Sequence, residues 1–292
     1  MELWIVFTLL AVLMQSLRTA AQKQLSGEMS ALATTLARYL YGLPLVVVYL
    51  IAVVAYSKSG IPALENRFLV YASGAAVAQI LATVFMIQLF QRKSFAVGAT
   101  FAKTEALYAA VGGALFFSQP LTAIGWAVVV VGVLGVWSMS LGRGKQPVEW
   151  KAIILGLGSG FGFAITSLWL REASLSLAVG YLLGAALTLC YMVLLQTVIL
   201  TVYLLLKAPG TIQGLWQHRR IGWFIGASSA LGSIGWFTAM TLQNVAYVKA
   251  LGQLEFLLVV LITHRFFREK IRTHEYLGMA LIAISVLVLL LA

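Results

Sequence analysis

Two stretches decide the fold: SFAVGATFAKTEALYAAVGGALFFSQPL (Ser94–Leu121) and NVAYVKALGQLEFLLVVLITHRFFREKI (Asn244–Ile271). They align without a gap at a shift of 150 residues. Ala96 falls on Ala246, Glu105 on Glu255, and Phe116-Phe117 on Phe266-Phe267. The match runs on into the next segment, with Trp126 on Tyr276. Each stretch is an apolar run long enough to cross a bilayer, which takes about 20 residues. Each carries one carboxylate near its middle, and the second has a further one, Glu269, close to its end. A repeat of this period, made of membrane-length segments, is the signature of a polytopic protein built from two related halves.

The rest of the chain follows the same pattern. Of 292 residues, 61% are hydrophobic and 10% charged, against about 45–50% and about 25% in a soluble domain. A soluble fold cannot cover that much apolar surface, whereas helices in lipid satisfy their own backbone hydrogen bonds. Spans are expected at Leu3–Gln24, Ser30–Tyr56, Phe68–Phe90, Ser94–Phe117, Leu121–Leu141, Ala152–Leu170, Leu177–Leu206, Ile221–Leu242, Val245–His264 and Tyr276–Ala292. The apolar runs continue to Ala292, so the first is a span and not a signal peptide. The clearest connectors are Ser57–Arg67, Gly142–Lys151 and Lys207–Arg220, rich in Gly, Pro or charge. The expected fold is an all-α polytopic membrane protein with ten transmembrane helices around a central cavity. Residues 1–145 form one five-helix repeat and residues 146–292 the other, in one membrane domain. Five is odd, so the second repeat starts on the opposite face and the halves are inverted.

The net charge of +11 is carried mainly by connectors, as at an anionic membrane face, and no nucleic-acid partner is expected. Lys58, Arg67 and Arg171 fall on the face of Met1. Thirteen basic residues fall on the other, among them Lys23, Arg92, Lys93, Arg219, Arg220 and Lys270. The positive-inside rule makes the second face cytoplasmic and puts both termini outside. Cys190 is the single cysteine, which leaves no internal disulfide. His218, His264 and His274 sit near span ends at no ligand spacing, so no metal, cofactor or catalytic set is expected. No Gly-rich nucleotide-binding loop appears, which argues against ATP-driven pumping.

Four basic residues, Arg18, Arg38, Lys103 and Lys249, remain inside spans, with Glu105 and Glu255 as the deep acids. An ion at a helix centre costs about 2.5–3.5 kcal/mol even on lenient scales, so such residues face the bundle interior or water. Glu105 and Glu255 read as a protonatable or substrate-binding pair, or as a structural pair bonded to neighbouring helices. Arg18, Arg38 and Lys103 read as a cationic cluster for a carboxylate or phosphate, or the arginines snorkel to the interface. Lys103 and Glu105 are two apart and do not face each other, so Glu255 or a substrate is the expected partner of Lys103. Lys249 lies close to its span end and is expected to snorkel. Gln15, Gln79 and Gln253 add polar groups. Trp169, Tyr181, Trp223, Trp236 and Tyr247 are candidate cavity aromatics, with Trp236 best placed and Trp223 expected at the interface.

These residues suggest a family. Thr104–Ser140 and Leu254–Leu291 resemble the paired EamA-type domains of the drug/metabolite transporter superfamily. Phe267-Arg268-Glu269-Lys270-Ile271 is similar to the acidic turn that ends the fourth helix of each half in that family. Ser118-Gln119-Pro120 departs from it, with Gln119 where Glu is usual. Arg38 in Ala37-Arg38-Tyr39-Leu40 matches an Arg often found in the second helix. The resemblance implies ten helices, a central cavity and export or exchange of small metabolites. Members are usually drawn with both termini in the cytoplasm, opposite to the loop charges here. The function expected is a secondary transporter in the cell (inner) membrane, not an enzyme. It would move a small polar metabolite, an amino acid or organic anion, by alternating access, with protons or a counter-substrate as coupling partner. Substrate contacts are expected from Arg18, Arg38, Lys103, Gln253, Gln79 and Trp236, and proton coupling from Glu105 and Glu255. The lipid bilayer is the other partner, and the chain is expected as a monomer or weak homodimer. Alternatives are a membrane-embedded transferase and a non-transporting scaffold.

Overall fold

The computed structural model describes residues 2–58, 60–105, 107–108, 111, 123–140, 149–252 and 254–291. Those residues are helical with short turns, and no strand occurs among them. In chain order the helices are α1 (Leu3–Leu25), α2 (Ala31–Leu40), α3 (Leu43–Ser57), α4 (Asn66–Phe90), α5 (Phe95–Ala102), α6 (Ala123–Ser140) and α7 (Trp150–Ser176). They continue with α8 (Tyr181–Lys207), α9 (Gly210–Gln217), α10 (Arg219–Leu242), α11 (Val245–Gly252), α12 (Glu255–Ile262) and α13 (Thr273–Leu291), a π-turn at Thr263–Phe267 preceding the last. Five helical stretches are long and apolar enough to cross a membrane: Leu3–Leu25, Ala31–Ser57, Asn66–Phe90, Trp150–Ser176 and Tyr181–Lys207. Large apolar side chains such as Val48, Ile51, Val70, Ile154 and Leu257 point outward, as expected for a molecule solvated by lipid.

Three expected spans are not single helices. The second divides into α2 and α3 at Tyr41-Gly42. Pro44 is the cause: it sits in the first turn of α3, has no N–H for the carbonyl one turn back, and its ring clashes there. Gly42 serves close packing at this break, because a Cβ there would lie 2.7 Å from the Arg38 carbonyl and 3.2 Å from that of Gly226. The Tyr41 hydroxyl donates to the Leu215 carbonyl at 2.8 Å and ties the break to α9. The fourth span is interrupted after α5 by a turn at Lys103-Thr104, and the ninth between α11 and α12, just after Gly252. Both interruptions precede the in-span glutamates. The expected connector Lys207–Arg220 contains α9, and Leu177 belongs to a turn, so α8 starts at Tyr181. The connector Gly142–Lys151 and the turn Ser118–Pro120 lie largely or wholly outside the described residues.

Packing is reciprocal between the two parts of the chain. The extensive contacts are α1 with α10, α4 with α7, α6 with α13 and α3 with α8, with α5 also meeting α12. Small residues permit the approach. A Cβ on Gly235 of α10 would stand 2.5 Å from the Phe7 carbonyl of α1, and one on Gly162 of α7 would stand 3.1 Å from the Ala78 carbonyl of α4. Ion pairs join helix ends and connectors that lie close together. Glu269 meets Lys23 at 3.3 Å and Glu149 meets Lys93 at 2.9 Å on the more basic face, while Arg67 meets Glu172 at 3.3 Å on the other.

Candidate functional site

A cavity lies where the broken helices face the intact ones. On α1, Gln15, Arg18 and Thr19 follow the spacing that shares one helix face, and all three line it. Arg38 reaches it from α2, Gln79 from α4, and Lys103 and Glu105 from the break after α5. The later part of the chain adds Thr166 and Ser167 on α7, Ser233 and Trp236 on α10, Lys249 on α11 and Glu255 at the start of α12. Interrupted helices place such groups mid-bundle because the turn aims its side chains away from the helix cylinder, and backbone irregularity is tolerated where it is buried or lines a cavity.

The charges are cross-paired. Lys103 Nζ donates to Glu255 Oε2, with both side chains buried. Lys249 Nζ stands 2.7 Å from Glu105 Oε1 and 4.5 Å from the Trp236 ring centroid, a cation–π distance. Gln15 links the parts: its Nε2 donates to Glu255 Oε2 at 2.8 Å and its Oε1 accepts from Trp236 Nε1 at 2.8 Å. Each pair joins a lysine from one part of the sequence to a glutamate from the other. In a medium of low dielectric, removing either partner leaves an uncompensated buried ion.

The arginines are held otherwise. Arg38 Nε donates to Ser229 Oγ at 2.9 Å and its Nη1 to Thr83 Oγ1 at 3.1 Å, with the cation 5.1 Å from the Tyr39 ring. Arg18 is 3% exposed, close enough to Arg38 and Glu255 to feel both charges, and its Nε has no hydrogen-bond partner. Neither arginine has a carboxylate within ion-pair distance among the described residues. Gln79 is steered by Gln196, whose amide donates to Gln79 Oε1 at 2.9 Å.

Seven of the residues expected to contact substrate or couple protons therefore line one cavity: Arg18, Arg38, Gln79, Lys103, Glu105, Trp236 and Glu255. Gln253 lies outside the described residues. Lys249 corrects the expectation of snorkelling: Glu105, on the neighbouring interrupted helix, offers a counter-ion closer than the interface. Snorkelling of Arg18 and Arg38 is likewise not seen, since both are buried. Tyr181, Trp223 and Tyr247 are exposed on the outer surface, and Trp169 packs edge-on against Tyr71 at 5.9 Å instead of lining the cavity. Thr166, Ser167 and Ser233 went unnoticed in the sequence, because a hydroxyl in an apolar run ordinarily bonds the carbonyl one turn back. Thr166 does so, donating to Gly162 O at 2.8 Å.

The fold and site thus define a multi-pass, all-helical membrane protein with a charged internal cavity. Residues 2–141 match the model of the EamA-like transporter family, and that stretch is similar to its members. A solved crystal structure is similar over 98% of this chain and 98% of its own, with a TM-score of 0.64 at 16% identity. That likeness shows the fold of the whole chain. No curated protein matches the sequence.

Proposed function

We propose that this chain is a secondary transporter of a small polar metabolite, an amino acid or organic anion, working by alternating access in the cell (inner) membrane. The observation that carries the reading is the cross-pairing of Lys103 with Glu255 and of Lys249 with Glu105 across the cavity. Alternating access needs two arrangements of similar energy around one site. Ion pairs that bridge the two parts of the chain break and re-form as those parts rock, and a solute or proton takes the place of a lost partner.

The architecture that fits is ten transmembrane helices in two inverted five-helix repeats, residues 1–145 and 146–292. Three observations support it. The sequence repeats at 150 residues. The packing is reciprocal, α1 on α10 being answered by α4 on α7. The helix breaks beside Glu105 and Glu255 fall at matching places. Loop charge puts the basic face in the cytoplasm. On that face Lys23, Glu269 and the Phe95 N–H, which donates to Glu269 Oε2 at 2.7 Å, close the bundle above the mutually tilted rings of Phe90, Phe95 and Phe267. Opening this closure exposes the cavity to the cytoplasm. Glu105 and Glu255 serve as proton-coupling groups, Gln79 and Trp236 as neutral contacts to the solute, and export is the direction, against protons or a counter-substrate. The chain works as a monomer or weak homodimer.

Flux in proteoliposomes tests the reading. Purified protein should carry labelled members of a panel of amino acids and organic anions faster than empty vesicles do. Glu105→Gln and Glu255→Gln should remove the pH dependence of that flux. A panel without flux or binding would overturn the proposal in favour of a scaffold.

A further inference from the structure

We infer that the cavity takes a compact oxyanion of charge −2, gripped by Arg18 and Arg38, and discriminates against monoanions and zwitterions. The inference rests on reading the cavity as a solute site, and it narrows the solute from polar metabolites in general to dianions.

The argument is one of charge. Leaving aside Lys23 and His264 at the very ends of theirs, six acidic or basic side chains lie within the expected spans: Arg18, Arg38, Lys103, Lys249, Glu105 and Glu255, and all six line the cavity. Lys103 with Glu255 and Lys249 with Glu105 are neutral as pairs. What remains is two guanidiniums. A cation away from water is expensive unless a counter-ion reaches it, and two neighbouring cations repel each other as well. The residues that fall outside the described structure in these spans, at 106, 109–110, 112–122 and 253, include no acid in the sequence. The other glutamates of the sequence all lie outside the expected spans, so the balance comes from solution.

The side chains are arranged to receive such a ligand. Arg18 is 97% buried by its 3% exposure, its Nε has no partner, and the residue lines the cavity. Arg38 is anchored on two hydroxyls, Ser229 and Thr83, which fix the guanidinium without neutralising it. Guanidinium forks fit carboxylate and phosphate oxygens bidentately. A monoanion leaves one guanidinium uncompensated. A zwitterion brings an ammonium into a cavity that already carries excess positive charge. A dicarboxylate and a phosphate dianion share the chemistry that balances both.

Binding to the purified full chain in lipid nanodiscs tests this apart from transport. Succinate and inorganic phosphate at pH 8 are the dianionic probes, and succinamate, butyrate and alanine are the controls. At least one dianion is expected to raise the unfolding temperature and to bind about 10- to 100-fold more tightly than any control. Succinate without phosphate identifies a dicarboxylate site, and phosphate without succinate a phosphate-ester site. Arg18→Gln should raise the unfolding temperature of the ligand-free protein, because it removes an uncompensated charge, and should abolish the dianion's stabilising shift. Arg18→Lys should retain part of that shift. Equal binding of succinate and succinamate, or an unchanged shift in Arg18→Gln, overturns the inference. Flux of a monoanion or zwitterion with no dianion binding leaves transport standing and sinks the dianion. Dianion binding without flux does the reverse.

Discussion

Glu255 and Glu105 stand 150 residues apart in matching runs, each faces a lysine of the other part of the chain, and yet they are held differently. Glu255 is 2% exposed and accepts from both Lys103 and Gln15. Glu105 is 9% exposed, and its lysine also lies over the Trp236 ring. The arginines extend the contrast. At 150 residues beyond Arg18 and Arg38 stand Leu168 and Thr188, and the Thr188 hydroxyl closes on its own helix, donating to Gly184 O at 2.8 Å. One helical frame therefore carries two balanced ion pairs and a one-sided excess of positive charge. A duplicated scaffold constrains where charges sit and leaves open which of them are balanced.

The largest test of this contrast is Glu255→Gln. It strands Lys103 in a buried site and should cost about 3–5 kcal/mol, read as a fall in unfolding temperature. Glu105→Gln should cost visibly less, because Lys249 keeps the Trp236 face. Equal losses would break the comparison. Next in size is the rescue of a broken pair. Lys249→Met combined with Glu105→Gln should recover stability relative to Glu105→Gln alone, with a coupling of about 1–3 kcal/mol in a double-mutant cycle. Additive effects would mean that the pair is not formed in the membrane.

A smaller effect probes the break found in the second span but not in the continuous α8. Gly226→Ala should destabilise by about 1–3 kcal/mol through overpacking, because its Cβ would meet the Tyr41 backbone and come 2.7 Å from Gly42 N. Gly210→Ala, with nothing within 4 Å, should be close to neutral. The smallest concerns His218, on the basic face, where the residue 150 positions earlier is the buried Phe68. Its hydrogen bond to the Gly214 carbonyl, and then its contact with Glu28 at 2.5 Å, raise its pKa above the ordinary 6.5. A raised folded-state value means that the contribution is full below pH 6.5 and fades as pH climbs through the higher value. The contact is exposed, so the slope should be slight. Glu28→Gln should flatten it in unfolding temperatures measured between pH 6 and pH 8.5.

Much of the cavity was legible in the sequence for one physical reason: an ion inside an apolar run has few places to go. Arg18, Arg38, Lys103, Glu105 and Glu255 declare themselves by cost alone, and a spacing of two residues points Lys103 away from Glu105 and leaves Glu255 or a substrate as its expected partner. Lys249 differs from its expectation because distance from a span end says nothing about a counter-ion on another helix. Thr166, Ser167 and Ser233 carry no signal, since hydroxyls in apolar helices are cheap. The break at Gly42-Pro44 has a marker in proline chemistry, which a strong hydropathy signal over the same residues masks. The breaks at Lys103-Thr104 and after Gly252 carry no such marker.

By itself, the sequence determined the membrane solvent, the approximate positions of the spans, the period of 150 residues and the identity of the buried charges. These follow from local composition and periodicity, which the bilayer reads directly. Only the tertiary structure decided which charge faces which. That choice depends on how α5, α11 and α12 are interrupted and on what α1 and α10 bring opposite them. Pairing is a matter of a few ångströms between helices distant in sequence. It left Glu105 and Glu255 paired with lysines across the cavity and Arg18 Nε without a hydrogen-bond partner among the described residues.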